Sequence, residues 1–133
     1  MRNSIICLLL ITATLAIYTQ TVGFDFVNYD DVDYVTENVL IKRGLTWKGI
    51  HRALTSSDQT RNWHPLTSIS HMLDCEFYGL KSGGHHATSV MLHTLNGLLL
   101  FGLLKTATGR LWCSALVAAL FALHPLRVES VVW

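Results

Sequence analysis

Three long apolar runs constrain the fold of this chain more than any other feature. They occupy residues 5–22, 87–104 and 111–126, and no Asp, Glu, Lys or Arg interrupts them. A helix needs about 20 predominantly apolar residues to cross the hydrocarbon core of a bilayer. Only 14% of the residues are charged, whereas a soluble domain usually carries about a quarter. The pattern predicts an all-α integral membrane protein with three transmembrane helices.

The charges between the runs predict the topology and the segment boundaries. Arg2 precedes the first run, and Lys105 and Arg110 flank the short connector between the second and third runs. Positive charge favours the cytoplasmic side. We therefore expect the following order: 1–23, a first transmembrane helix; 24–86, an external loop; 87–104, a second transmembrane helix; 105–110, a cytoplasmic turn; 111–133, a third helix that runs into the next external segment.

The first run allows two interpretations. A cleaved signal peptide is usually followed by small residues in an A-x-A-like pattern. Residues 19–23 read Thr-Gln-Thr-Val-Gly and offer no such pattern, so an uncleaved signal anchor is favoured. The chain closes on the apolar sequence Val-Val-Trp at 131–133 without a polar tail, and we expect a fragment of a longer protein.

Short amphipathic helices are predicted in the loop of residues 24–86, which is too long to be structureless in a compact protein. Apolar residues recur at helical spacing from Val32 and predict a first helix. Thr46 can cap a second helix, and a third helix can begin at Pro65 and end at Gly79. Such helices lie in the membrane interface or form a small soluble subdomain. Periodicity does not separate these alternatives.

Charge and cysteine content exclude some classes of function. The formal net charge is only +1, and a nucleic-acid-binding domain usually shows a basic surface. Cys7, Cys75 and Cys113 have no metal-ligand spacing, and Cys7 and Cys113 lie inside apolar runs. A disulfide framework is therefore not favoured.

Asp30 and Asp31 form an acidic pair shortly after the first apolar run. A carboxylate at this position can act as a general base towards a substrate hydroxyl, and repulsion between neighbouring carboxylates raises one pKa. The pair can also hold a divalent cation through oxygen ligands. The alternative is a solvated acidic turn, because Asp and Asn are common turn residues.

A second polar group consists of His85, His86, His93 and Asn96. His86, His93 and Asn96 share one face of a helix, and ionisable groups within a span usually face protein or a water-filled cavity. The alternative is an interhelix hydrogen bond that holds the bundle together. No acidic or cysteine ligand completes a zinc constellation at a usual spacing, so no zinc site is predicted in this group.

The third group contains two His-Pro pairs at predicted helix boundaries, at His64 and His124. Arg127 and Glu129 follow the second pair. An Arg beside a membrane suits recognition of a phosphate through bidentate hydrogen bonds. The alternative is an interfacial anchor of aromatic and basic residues.

Several of these stretches, taken in order, resemble one known family. They are 26–31 (Phe-Val-Asn-Tyr-Asp-Asp), 62–67 (Asn-Trp-His-Pro-Leu-Thr), 71–74 (His-Met-Leu-Asp), 77–80 (Phe-Tyr-Gly-Leu), 84–86 (Gly-His-His), His93 with Asn96, and 118–130, which contains Leu-His-Pro and Val-Glu-Ser. Together they resemble the N-terminal region of transmembrane and tetratricopeptide repeat containing protein O-mannosyltransferases and their bacterial relatives. The resemblance runs from about residue 24 to the end of the chain.

The resemblance implies a truncated fold of the type C glycosyltransferase kind, followed in the whole protein by tetratricopeptide repeats. It implies transfer of a sugar, mannose in the animal members, from a polyprenyl (dolichyl) phosphate donor to a Ser or Thr hydroxyl of an acceptor protein. The implied catalytic residues are Asp30 and Asp31. Donor-binding candidates are His64, His86, His93, Arg127 and Glu129. Two residues depart from the family pattern: Arg127 replaces a second His, and Ser68 replaces an aromatic residue.

The resemblance also implies partners and a location. Membrane lipid, the lipid-linked sugar and an acceptor protein are the expected partners, and no nucleic acid is expected. The membrane would be the endoplasmic reticulum in a eukaryote and the plasma membrane in a bacterium. Two other classes of function stay open: a non-catalytic membrane scaffold or inactive remnant of the family, and a transporter-like polar bundle. The absence of paired Gly/Pro-broken spans speaks against the transporter.

Overall fold

The computed structural model describes residues 1–28, 31–55 and 63–132, and this part of the chain is helical and contains no β-strand. The α-helices are α1 (Arg2–Tyr18), α2 (Val39–Lys42), α3 (Trp47–Thr55), α4 (Pro65–Tyr78), α5 (Ser82–Thr108), α6 (Leu111–Leu123) and α7 (Val128–Val132). A 3₁₀ segment, Thr19–Gly23, continues α1, a π-helical turn covers Val32–Thr36, and a second 3₁₀ turn covers Pro125–Arg127. The prediction of an all-α fold is confirmed.

Two of the described helices are long and apolar enough to cross a membrane, namely Arg2–Gly23 and Ser82–Thr108. A third candidate span is made of two helical pieces, Leu111–Leu123 and Pro125–Val132, which meet at an angle of 54°. Proline has no N–H group and disfavours helical backbone at the residue before it, so Pro125 explains the break. The third predicted span is therefore bent.

The chain divides into two compact units, which are described separately. Residues 1–23 and 86–133 form the membrane unit, and residues 24–85 form the loop unit. In the membrane unit, Ile6 and Leu10 of α1 are buried with Phe101 of α5 and Ala118 of α6. Ser114, Ala118 and Ala122 are buried along one side of α6. Small residues at this spacing allow helix backbones to approach closely inside a membrane.

The loop unit has a small apolar core of its own. α2 and α3 pack against α4, and its buried residues are Val35, Ile41, Ala53, Met72 and Cys75. The side chain of Asn38 caps α2 by accepting hydrogen bonds from the N–H groups of Leu40 and Ile41 at 3.0 and 3.3 Å. Such caps satisfy donors that have no partner within the helix.

The short helices begin and end where the sequence signals them. The Thr46 hydroxyl accepts a hydrogen bond from the N–H of Gly49 at 3.1 Å at the start of α3. α4 starts at Pro65, whose missing N–H is not needed in the first turn of a helix. Gly79 follows the end of α4 with φ of +62°, a conformation that glycine adopts readily. The predicted helices that begin at Thr46 and Pro65 are confirmed, whereas the residues from Val32 onward form a π-helical turn and the separate helix α2 rather than one helix.

Candidate functional site

His93 joins two helices of the membrane unit. Its buried imidazole is hydrogen-bonded through Nε2 to the carbonyl oxygen of Ala122 at 2.9 Å. A carbonyl only accepts, so the Nε2 of His93 carries the proton. The N–H that would normally reach this carbonyl belongs to Leu126, but it donates instead to Nδ1 of His124 at 3.2 Å. His93 thus satisfies a carbonyl that the break before Pro125 leaves free.

Arg127 lies over the face of an aromatic ring next to His93. The guanidinium carbon of Arg127 is 4.7 Å from the centroid of the Phe121 ring, a cation–π geometry. The His93 and Phe121 rings are themselves 5.5 Å apart. Tyr18 contacts the His93 imidazole edge-to-face at 5.3 Å. These aromatic contacts fix the position from which the Arg127 side chain extends.

Arg127 and His93 line a pocket of about 260 Å³ in the membrane unit. The pocket's other polar side chains are Ser89, Asn96 and Ser130, and the remaining lining residues are Leu92, Phe121 and Val131. None of its lining residues is acidic. One cation, two hydroxyls and an amide suit an oxyanion such as a phosphate, because all of them can donate hydrogen bonds. We call it the Arg127 pocket.

The acidic pair is only partly described. Asp30 lies outside the described residues. Asp31 precedes the π-helical turn, and its Oδ2 accepts a hydrogen bond from the N–H of Val27 at 2.8 Å. This bond fixes one oxygen of the Asp31 carboxylate within the loop unit. The predicted role of the pair in catalysis stays a prediction.

Of the remaining predicted donor-binding residues, His86 and Glu129 belong to the membrane unit and His64 belongs to the loop unit. His64 is exposed in the loop unit and precedes α4 without a side-chain cap bond. His86 is buried on α5, and Glu129 is exposed in the first turn of α7. Neither of them lines the pocket. Of the five predicted donor-binding residues, the pocket unites His93 and Arg127.

A second polar cluster lies in the loop unit, and the spacing of residues in the sequence does not predict it. It consists of His71 and Asp74 on α4 and His85 on α5, whose potential ligand atoms lie within 4.8 Å of one another. His71 and Asp74 share a face of α4 because they are three residues apart. The sequence signal was this i, i+3 pair. Its partner His85 is eleven positions further on, and only the fold shows that the three meet.

Burial shifts the pKa values of His71, which belongs to this cluster, and of Cys75, which follows Asp74. Burial lowers the pKa of His71 below its ordinary value, the nearby His85 lowers it further, and Asp74 and Asp31 act in the opposite direction. Burial raises the pKa of the Cys75 thiol, with a smaller contribution from the charge of Asp74. His71 is therefore a neutral imidazole with a free lone pair at neutral pH.

The helices and their apolar surfaces define an all-α membrane protein, in which two of the described helices can span the bilayer and the bent pair provides a third candidate span. Comparison with known proteins shows which members of this class the chain resembles. The chain is 28% identical over 132 residues to protein O-mannosyl-transferase Tmtc2 of Drosophila melanogaster, covering 94% of this chain and 14% of that protein. It is 30% identical to tmtc2 of Xenopus laevis and 28% identical to TMTC2 of Homo sapiens, each covering 88% of this chain and 15% of the relative.

The resemblance to protein O-mannosyl-transferases is thus confirmed. The chain spans about one seventh of the length of these curated relatives. No family model matches the chain. No solved structure matches it either.

Proposed function

We propose that this chain is part of a membrane glycosyltransferase that moves mannose from a polyprenyl-phosphate donor to a Ser or Thr hydroxyl of an acceptor protein. The observation that carries the proposal is the similarity, along most of the chain, to proteins named protein O-mannosyl-transferase. A lipid-linked donor has to be bound from the membrane, and the apolar helices of this chain are consistent with that requirement.

The Arg127 pocket is the proposed contact for the donor phosphate. Its cation and hydroxyl groups match the hydrogen-bond acceptors of a phosphodiester, and none of its lining residues is an acid that would repel one. The Phe121 ring holds the guanidinium in place before a ligand arrives, which reduces the entropy lost on binding. In this proposal His93 shapes the wall of the pocket, since its Nε2 proton is already used by Ala122.

The acidic pair is the proposed source of the general base. One of Asp30 and Asp31 takes the proton of the acceptor hydroxyl as its oxygen attacks the anomeric carbon of the sugar, and the polyprenyl phosphate leaves. Asp31 already uses one carboxylate oxygen to hold Val27, so its other oxygen is the one available to a substrate. A divalent cation between the two carboxylates is a further proposal for the same position.

Location and partners follow from the same proposal. A eukaryotic protein of this kind would act in the membrane of the endoplasmic reticulum and a bacterial one in the plasma membrane. The loop unit would then face the compartment that holds the acceptor protein. The tetratricopeptide repeats implied by the resemblance would belong to the part of the whole protein beyond this chain.

The test is a transfer assay with the natural full-length protein in lipid nanodiscs, dolichyl-phosphate mannose labelled in the sugar, and an acceptor polypeptide rich in Ser and Thr. We expect labelled acceptor from the wild type and a loss of about 100-fold or more in Asp30→Asn or Asp31→Asn, the range of general-base catalysis. Asp25→Asn, an exposed acid nearby, is the matched control. Full transfer by both Asp30→Asn and Asp31→Asn would remove the acidic pair from the mechanism, and a wild type that transfers no sugar would overturn the proposed activity.

A further inference from the structure

Three potential metal ligands, none of them assigned above to sugar transfer, converge inside the loop unit. The Asp74 carboxylate and the His85 imidazole are almost fully buried, with 5% and 4% of their surfaces exposed. Their nearest atoms, Oδ2 of Asp74 and Nδ1 of His85, are 3.7 Å apart. The imidazole of His71 stacks on that of His85 with ring centroids 5.9 Å apart. Two imidazoles and a carboxylate therefore share one small buried space.

The hydrogen bonds of His85 determine which of its nitrogens faces the cluster. Its Nε2 lies 3.0 Å from the carbonyl oxygen of Gly79, so Nε2 carries the proton and Nδ1 presents a lone pair. That Nδ1 is buried without a hydrogen-bond partner, because 3.7 Å to Asp74 is too long. The Nδ1 of His71 is buried without a partner as well. Unpartnered buried polar atoms are costly and need an explanation.

We propose that His71, Asp74 and His85 bind a divalent transition-metal ion, with Zn²⁺ as the favoured metal. A cation between the three ligand atoms satisfies the lone pairs of both imidazoles and neutralises the buried carboxylate. Imidazole nitrogen and carboxylate oxygen are ordinary Zn²⁺ ligands, whereas Mg²⁺ and Ca²⁺ prefer oxygen ligands alone. Three protein ligands leave a fourth coordination position for water or another group.

The surroundings of His85 match those of a metal-binding histidine. Such a histidine usually donates its second ring N–H to a backbone carbonyl or carboxylate, which fixes the ring orientation. The Gly79 carbonyl has that role here. The Phe26 ring packs edge-to-face against the His85 imidazole at 5.3 Å and shields one side of the cluster. This carbonyl and this ring hold His85 in the orientation that aims Nδ1 at Asp74.

The spacing of the ligand atoms requires a modest contraction on binding. They lie within 4.8 Å of one another, whereas tetrahedral Zn²⁺ with bonds of about 2.0–2.1 Å places its ligands about 3.3 Å apart. Asp74 and His85 are already near that distance at 3.7 Å. A rotation of the partly exposed His71 side chain can bring its ligand atom closer to those of Asp74 and His85. The Nδ1 of His71 has no hydrogen bond that this rotation would break.

A shared proton is the competing explanation for the same geometry. A proton on Nδ1 of His85 would make an ion pair with Asp74, but it would leave Nδ1 of His71 without a partner. A metal ion accounts for both nitrogens at once. The two explanations differ in an observable way, since only the metal site gives a stoichiometric spectroscopic signal.

The experiment uses the full chain in nanodiscs, stripped with a chelator and titrated with Co²⁺ as a spectroscopic substitute for Zn²⁺. We expect visible absorption bands that saturate at about one equivalent, and displacement of Co²⁺ by Zn²⁺. His71→Gln, Asp74→Asn and His85→Gln should each weaken Co²⁺ binding by about 100-fold or more, beyond the 10–100-fold typical of losing a supporting partner. His51→Gln and His64→Gln remove exposed histidines of the same unit and should leave binding unchanged.

The readout does not depend on sugar transfer, so its failure leaves the proposed function untouched. A wild-type protein that shows no saturable Co²⁺ bands overturns the proposal and assigns the cluster to the shared proton. Equal Co²⁺ affinity in the wild type and in all three cluster variants also overturns it. Far-UV circular dichroism identifies any variant that has lost its helices. Because His71 is the least buried member, His71→Gln is the variant least prone to unfold.

Discussion

The Nε2 hydrogen of His93 on α5 is donated to the carbonyl oxygen of Ala122 on α6 across 2.9 Å. This bond connects the two helices at the level where α6 ends, and it replaces the helical bond lost at the break before Pro125. His93, a polar residue in the middle of an apolar run, therefore has a structural role. It also lines the Arg127 pocket.

We expect His93→Phe to destabilise the membrane unit by about 1–2 kcal/mol, because the Ala122 carbonyl then loses its partner in a low-dielectric environment. Chemical or thermal unfolding in detergent micelles measures the change. Thr94→Val is the matched control on the same helix, since the Thr94 hydroxyl donates a hydrogen bond to the carbonyl of Val90 within α5. Equal stability of His93→Phe and the wild type would show that the interhelix bond contributes nothing.

In the loop unit we expect Met72→Ala to cost about 2–5 kcal/mol, because Met72 is fully buried between α4 and its neighbours and the change leaves a cavity. Leu66→Ala, on the same helix, should cost little, because 78% of the Leu66 surface is exposed. Proteolysis of the loop unit at increasing denaturant concentration measures the change in stability of both variants. Similar sensitivity of the two variants would contradict the core assigned here.

Phe121 should influence donor binding through its contact with Arg127. We expect Phe121→Leu to weaken polyprenyl-phosphate binding by about two- to five-fold, the size of an exposed cation–π interaction, because the Arg127 guanidinium loses the ring beneath it. Phe121→Tyr retains the aromatic ring and should bind polyprenyl phosphate with the affinity of the wild type. A Leu variant with wild-type affinity would mean that the ring does not position Arg127.

The sequence allows much of the fold to be predicted because its signals are local. Pro65 and Gly79 mark both ends of α4, and Thr46 marks the start of α3. The uninterrupted apolar runs indicate the two longest helices. Proline at 125 signals a helix boundary, but the 54° angle that follows depends on packing and cannot be read from the residues alone.

The candidate sites are less accessible to sequence reasoning because they depend on contacts between distant residues. His93 and Arg127 could each be selected from the sequence, but their common pocket requires α6 to end where it does. The cluster of His71, Asp74 and His85 combines a local i, i+3 pair with a residue on the next helix. Neither spacing nor composition predicts that second contact.

The most direct test of the account is the affinity of polyprenyl phosphate for the natural full-length protein in nanodiscs, compared between the wild type and Arg127→Gln. We expect Arg127→Gln to bind about 10-fold or more weakly, the usual effect of losing a charge-assisted hydrogen bond. Arg43→Gln, the same change at an exposed site of the loop unit, should bind like the wild type. Equal affinity of the wild type and Arg127→Gln would contradict the assignment of the Arg127 pocket to the donor phosphate.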